Sequence, residues 1–158
     1  MIDMMDNSIF PMLDAKRPNI GEQLYEHFLY DMMTGTITGH VGEITGELNI
    51  PDEIHGIEIR TIGTGAFTGC TGITSLKIGN GIAEIETGAF SGCSNIRQLT
   101  LPDSLKYIGT AAFMGCTNLN DITIPYGTEH IGEQAFYGCG LSNVKLPDSV
   151  QYCAADAF

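Results

Sequence analysis

Residues 108–125 read IGTAAFMGCTNLNDITIP, and the centre of this stretch returns along the chain. The phrase Ala-Phe-x-Gly-Cys begins at Ala66, Ala89, Ala112 and Ala135, 23 residues apart each time. Its first two residues occur once more at Ala157-Phe158, after a unit of 22 residues. Repetition at this period predicts a solenoid, in which each repeat forms one coil that stacks on the previous coil.

Apolar residues recur at fixed places in each unit. Segments such as Leu76-Lys77-Ile78 alternate as short half-buried strands do, and the Pro after several of them ends strand pairing. We therefore expect each coil from Ile50 onward to add one main strand to a parallel ladder along one face. A second short strand is expected near 83–85, 106–108 and 129–131. An internal aromatic column is expected from Phe67, Phe90, Phe113, Phe136 and Phe158.

The full unit, Ile-Gly-x-x-Ala-Phe-x-Gly-Cys-x-x-Leu-x-x-Leu-x-Ile-Pro, resembles the BspA-like leucine-rich repeat over about residues 25–158. Residues 35–39 and 50–59 also resemble the N-terminal strands of that family. The resemblance implies a non-enzymatic binding or adhesion module of bacterial or protist origin, on the cell surface or secreted. It implies no catalysis, no cofactor and no universal set of ligand-binding residues.

The resulting prediction is a leucine-rich-repeat solenoid of about five 22–23-residue coils, built from strands and irregular or short helical turns. Its expected divisions are a leader over 1–24, an N-terminal cap with the first strand over 25–60, and the repeat array over 61–158. Residues 20–33 fit either a helix, from a four-residue apolar spacing, or a β-hairpin. The resemblance favours a hairpin cap from about Glu26. The stop within the repeat phrase is consistent with truncation, or with a naturally short protein.

The net charge is −12, and residues 1–58 hold eleven of the nineteen acidic residues with only Lys16 and Arg17 as bases. This balance argues against nucleic acid and against anionic membrane surfaces as partners. We expect no membrane insertion, because no run approaches the ~18 apolar residues of a membrane helix. No signal peptide is visible, so a complete chain would be cytoplasmic, whereas the resemblance implies the cell surface.

Cysteine and histidine give no convincing metal site. Register places Cys70, Cys93, Cys116 and Cys139 in a line one coil apart, and a line at ~4.8 Å spacing cannot surround one metal ion. Neighbouring pairs could reach disulfide distance, but a repeated Cys favours small buried free thiols. Cys153 occupies an Ile position and is predicted to fill the core. The histidines, His27, His40, His55 and His130, do not recur in register, which favours scattered surface positions.

The residues expected to bind a partner lie between the core positions of the main strands, because alternation directs them outward. They are Ser75, Lys77, Gln98, Thr100, Asp121, Thr123, Asn143 and Lys145. This set contains no aromatic anchor, and Tyr107, Tyr126, Tyr137 and Tyr152 are alternative anchors on a lateral face. The predicted function is recognition of a protein or glycan. The alternative is an assembly subunit that self-associates through its apolar leader or an open C-terminal coil.

Overall fold

The computed structural model describes residues 27–158, which form a solenoid of short strands joined by turns. This part of the chain contains twelve strands and no helix. The strands are β1 (Phe28–Asp31), β2 (Thr36–His40), β3 (Gly46–Ile50), β4 (Glu53–Ile54), β5 (Ile57–Glu58), β6 (Thr61–Ile62), β7 (Ile73–Ile78), β8 (Glu84–Ile85), β9 (Gln98–Thr100), β10 (Tyr107–Ile108), β11 (His130–Ile131) and β12 (Tyr152–Cys153). Accordingly, the described residues include no helix that could cross a membrane. The predicted leader over 1–24 lies outside them.

Seven strands form one continuous sheet, which we call the lateral sheet, in the order β1-β2-β6-β8-β10-β11-β12. From β2 onward the neighbours are parallel, and each coil contributes one strand. Ile62, Ile85, Ile108 and Ile131 are buried in register along it. Cys153 aligns with Ile131 and is only half-buried. The predicted second strand is thus confirmed, and it is the strand that continues through every coil.

The predicted main strands form a shorter ladder, the front sheet, in the parallel order β3-β7-β9. The ladder is confirmed in three consecutive coils, but the expectation of a main strand in every coil was wrong for the last two, where 119–124 and 141–146 form no strand. Ile122 and Ile124 are nevertheless buried there, while Asp121 and Thr123 are exposed. Burial of alternate side chains therefore orients the fourth segment without strand pairing.

The hairpin β1–β2 caps the N-terminal end of the lateral sheet, pairing antiparallel within itself and parallel with β6. This confirms the hairpin and excludes the helix for residues 28–31. Gly35 in its turn has φ 67°, and a Cβ there would overlap the Glu58 carbonyl oxygen, so only glycine fits. A second small hairpin, β4–β5, follows β3.

The core contains the predicted aromatic column. Ring centroids from Phe67 through Phe90, Phe113 and Phe136 to Phe158 are 5.1, 5.3, 5.2 and 5.3 Å apart, with interplanar angles of 3–6°. The first four rings are buried, whereas Phe158 is 43% exposed. The repeated Phe therefore holds successive coils in step through ring-to-ring contact.

Hydroxyl side chains connect the turns of successive coils. Ser104 Oγ accepts a hydrogen bond from the Gly81 N–H (2.9 Å) and donates to the Ile82 carbonyl (2.7 Å). Ser149 makes the equivalent pair of contacts two coils later, at 3.0 and 2.8 Å. Thr128, which is wholly buried, donates to the carbonyl of Leu105 in the preceding coil (3.0 Å). These hydrogen bonds satisfy backbone N–H and carbonyl groups of the turns, which take no part in strand pairing.

Candidate binding surfaces

The predicted partner-binding residues lie on the outer side of the front sheet and of its continuation, a surface that we call the front face. Seven of the eight are exposed, and Ser75 is half-buried. Strand pairing aligns Ser75 with Gln98 and Lys77 with Thr100. The rows extend onto β3 at Glu47 and Asn49, which the sequence analysis did not include.

An open groove of about 630 Å³ crosses the C-terminal ends of β3, β7 and β9. Its lining includes Lys77 and Thr100 from the predicted set, together with Asn49. Two smaller depressions, of about 250 and 260 Å³, continue along the later coils and are both lined by Asp121. Thr123 lines the first of these and Asn143 the second, whereas Lys145 lines none of the three. The front face therefore carries three depressions along successive coils.

The groove carries acidic side chains that the sequence analysis did not single out. Asp52 and Asp103 follow Pro51 and Pro102, so both lie just beyond the end of a main-strand segment, and both line the groove with Glu47. Lys77 is the only base among the lining residues. Within residues 27–158 the ion pairs are Arg60–Glu58 and Lys106–Glu129, so these groove carboxylates have no cationic partner. The recurrence of Pro-Asp was the available sequence signal.

The proposed aromatic anchors are divided between two arrangements. Tyr107 and Tyr152 stack on either side of His130 on the lateral sheet, with centroid distances of 4.5 and 4.7 Å. His130 is half-buried on the lateral sheet, and parallel pairing places it in the same row as Tyr107, a contact that the histidine spacing did not predict. Tyr126 and Tyr137 are 76% and 55% exposed in turns, outside this stack. Since the stacked rings cover one another, mostly their edges face solvent.

The repeated cysteines are free thiols in a line through the coils. Cys93, Cys116 and Cys139 each donate an S–H hydrogen bond to the carbonyl of the Phe in the preceding coil, at 3.1–3.3 Å. Burial raises the pKa of Cys93 to about 12. The neighbouring thiol of Cys139, together with burial, raises the pKa of Cys116. No cluster of three or more His, Cys, Asp and Glu side chains within residues 27–158 is arranged to hold a metal ion.

Cys70 has a different partner, because the cap and not a complete coil precedes it. His40 stacks on Phe67 at 5.5 Å and 5°, in the place that a preceding Phe would take. Its Nε2 lies 3.2 Å from Cys70 Sγ, and its Nδ1 lies 3.1 Å from the Gly42 carbonyl oxygen. The expected surface position was therefore wrong for His40, which is half-buried against the Phe67 ring. Nothing in the repeat predicted this contact, since the cap residue lies outside it.

The comparison with known proteins agrees with this architecture. The family model of the BspA type leucine rich repeat region matches residues 46–158 in six copies. A leucine-rich repeat protein from Bacteroides ovatus is 31% identical, with a TM-score of 0.68, over 78% of this chain and 34% of that chain. The chain thus spans about a third of the length of that relative. No curated protein matches the chain.

Two more distant structures share the fold. A leucine-rich repeat protein of T. pallidum is 24% identical, with a TM-score of 0.62, over 77% of this chain and 70% of that chain. The pneumococcal vaccine antigen PcpA is 17% identical, with a TM-score of 0.65, over 78% of this chain and 30% of that chain.

Proposed function

The chain belongs to the BspA type leucine-rich repeat family, and from this premise we propose that it is a binding module which holds a protein partner against its front face. Leucine-rich repeat domains generally mediate protein–protein interaction or adhesion, and they are generally not enzymes. Cell-surface display, which the resemblance implies, is part of the same proposal. Protease treatment of intact cells would test it, because only a displayed domain would be cleaved.

The groove across the front face is the observation that carries this proposal. It crosses three strands, whose ~4.8 Å spacing gives a span of about 10 Å. An extended segment of a partner protein fits an open channel of this kind and of about 630 Å³. The predicted residues Lys77 and Thr100 lie in its floor, so their side chains would contact such a segment directly.

The charge of the groove favours a partner with basic side chains. Glu47, Asp52 and Asp103 outnumber Lys77, and Asp121 extends the acidic surface into the next depression. None of the eight predicted residues is aromatic, so the usual hot-spot side chains are absent from this set. We therefore expect electrostatic attraction to contribute much of the affinity and to weaken as salt rises.

The test compares two charge-reversed variants with the same net charge. Asp103→Lys with Asp121→Lys alters the front face, and Glu84→Lys with Glu133→Lys alters exposed positions elsewhere. The probes are labelled decapeptides of matched composition that carry either arginine and lysine or aspartate and glutamate. Fluorescence anisotropy measures their Kd. The front-face variant should raise the Kd of the basic peptide by about tenfold or more, because two lost attractions of about 0.7 kcal/mol each give that factor.

The control variant shows whether binding depends on the position of the acidic side chains. Under the proposal, the variant at Glu84 and Glu133 keeps most of the affinity, and the acidic peptide does not bind wild-type protein. Equal weakening by both variants would mean attraction to the overall charge of −12 and not to a site on the front face. Unchanged binding in the front-face variant would assign the peptide to another surface.

A glycan partner and self-association are the other candidates from the sequence. The leader that would mediate assembly lies outside the described residues. Light scattering on the full chain, across a range of concentrations, distinguishes an assembly subunit from a monomeric binding module.

A further inference from the structure

Cys70 differs chemically from the other thiols. Cys93, Cys116, Cys139 and Cys153 each direct sulfur toward a backbone carbonyl, which can accept a hydrogen bond but does not take up the proton at ordinary pH. Cys70 Sγ instead lies 3.2 Å from an imidazole nitrogen of His40. A thiol within hydrogen-bond distance of a base is the arrangement that activates cysteine as a nucleophile.

The orientation of His40 is fixed from two sides. Its ring is held flat against Phe67, and its Nδ1 lies 3.1 Å from the carbonyl oxygen of Gly42. Because a carbonyl can only accept, Nδ1 carries the ring proton and Nε2 presents its lone pair to Cys70. The third group that orients the base in a nucleophile–base pair is thus supplied by the backbone of the cap.

Burial raises the pKa of the Cys70 thiol, so it stays protonated near neutral pH. Reaction at sulfur then requires somewhere for the proton to go as the new bond forms. His40 Nε2 is in position to accept it. The other thiols of the line lack such an acceptor, although Cys139 and Cys153 are half-buried as Cys70 is.

We propose that Cys70 is a modification site, at which the thiol forms a mixed disulfide with a low-molecular-mass disulfide while His40 acts as the base. The Cys70 sulfur attacks one sulfur of the reagent, and its proton passes to His40 Nε2. A new S–S bond forms, the S–S bond of the reagent breaks, and the departing thiolate takes up the proton. The reagent is reduced to one thiol as Cys70 is oxidised to the mixed disulfide.

The site joins the cap to the first coil, because His40 belongs to β2 and Cys70 lies just before β7. A group attached to Cys70 would occupy the space of the sulfur–imidazole contact. The modification should therefore loosen the cap without altering the stacked coils behind it.

The experiment measures which thiol reacts and how fast. The full chain, folded and reduced, is treated with limiting dipyridyl disulfide, and absorbance follows the released pyridinethione. Peptide mass spectrometry after brief reaction identifies the modified residue. Cys70 should react before Cys139 and Cys153, and Cys70→Ser should remove the fast phase. A fast phase that belongs to either of the other two cysteines would overturn the proposal.

Two substitutions of His40 distinguish proton transfer to the imidazole from simple accessibility of the Cys70 thiol. His40→Phe restores an all-Phe column and removes the base, so the fold should keep its thermal stability while the Cys70 rate falls about 100-fold. His40→Gln also removes the base but has no ring, so it leaves Cys70 more open. Both variants should be slow if His40 accepts the proton. A Gln variant as fast as or faster than wild type would show that access alone sets the rate, and would refute the role of His40.

Discussion

The stacked column makes a graded prediction about stability, which is sharpest at Phe113. This ring is wholly buried and lies between Phe90 and Phe136, with centroid distances of 5.3 and 5.2 Å. Phe113→Ala removes the ring from the middle of the column. The two neighbouring rings then face a cavity that neither can fill, because each is also held by the coil on its other side.

The expected cost follows from burial and from the ring contacts. Replacing a buried core Phe by Ala costs about 3–5 kcal/mol, a total that includes the lost ring contacts and the cavity. Phe113→Leu keeps most of the apolar volume, so its cost reduces to the two ring pairs, or about 1–3 kcal/mol. Phe158→Ala loses only one ring neighbour at a 43% exposed position. With one ring pair and a partly buried ring lost, its cost should be well below that of Phe113→Ala, at about 1–2 kcal/mol.

Thermal unfolding followed by circular dichroism measures these differences. For a domain of this size each kcal/mol changes Tm by about 2–4 °C, so Phe113→Ala should lower Tm by about 6–20 °C. The order of the three variants matters as much as the size. A Phe113→Ala cost below about 1 kcal/mol, as for a surface change, or one no larger than that of Phe158→Ala, would refute the role of the column.

Three further predictions concern a thiol, a hydroxyl and an ion pair. Burial raises the pKa of Cys93 from 9.0 to about 12 in the folded protein. The unfolded chain therefore loses the thiol proton at lower pH than the folded protein does, and the free energy of unfolding should fall as pH rises from about 9 toward 12. Urea unfolding at a series of pH values should show a shallower fall for Cys93→Ala, and an identical slope would contradict the assignment. Ser149→Ala removes the hydroxyl that bonds Gly127 and Thr128 and should cost about 1–2 kcal/mol in the same assay; no measurable cost would mean that water replaces it. Lys106→Ala breaks an ion pair of 3.7 Å between half-exposed side chains and should cost less than about 1 kcal/mol, so a cost above that of Ser149→Ala would reverse the expected ranking.

The repeat period was sufficient to predict the elements that every coil shares. Phe113 had to meet Phe90 and Phe136 because a fixed spacing places equivalent side chains one above another. The same logic located β10 at Tyr107–Ile108 and identified Cys153 as the residue in an Ile position. It also predicted that Lys77 and Thr100 face outward together.

Features outside the repeat could not be predicted in this way. The contact between His40 and Cys70 joins the cap to a coil, and its two residues are 30 positions apart without any shared spacing. The groove is formed by three main strands together with the turns that follow them, whereas alternation gives only the direction of each side chain. The alternation pattern selects only residues within strands. Because Asp103 lies in a turn, it was not among the predicted residues. The end of the front sheet after β9 was equally hidden, since Ile122 and Ile124 keep the alternation of a strand.

The in-register ladders also bear on how such a protein changes over evolutionary time. Each coil packs against an equivalent coil on either side. Duplication of one 23-residue unit would therefore insert a coil whose side chains match those of both neighbouring coils. Loss of a whole unit would bring together two coils whose packing surfaces also match. Most other changes in length would rotate core side chains toward water. The 22-residue unit is an informative exception, because its missing residue falls between Cys139 and Leu141, where no strand pairing must be kept. Gain and loss of whole units can thus change the length of the solenoid while its cross-section stays the same.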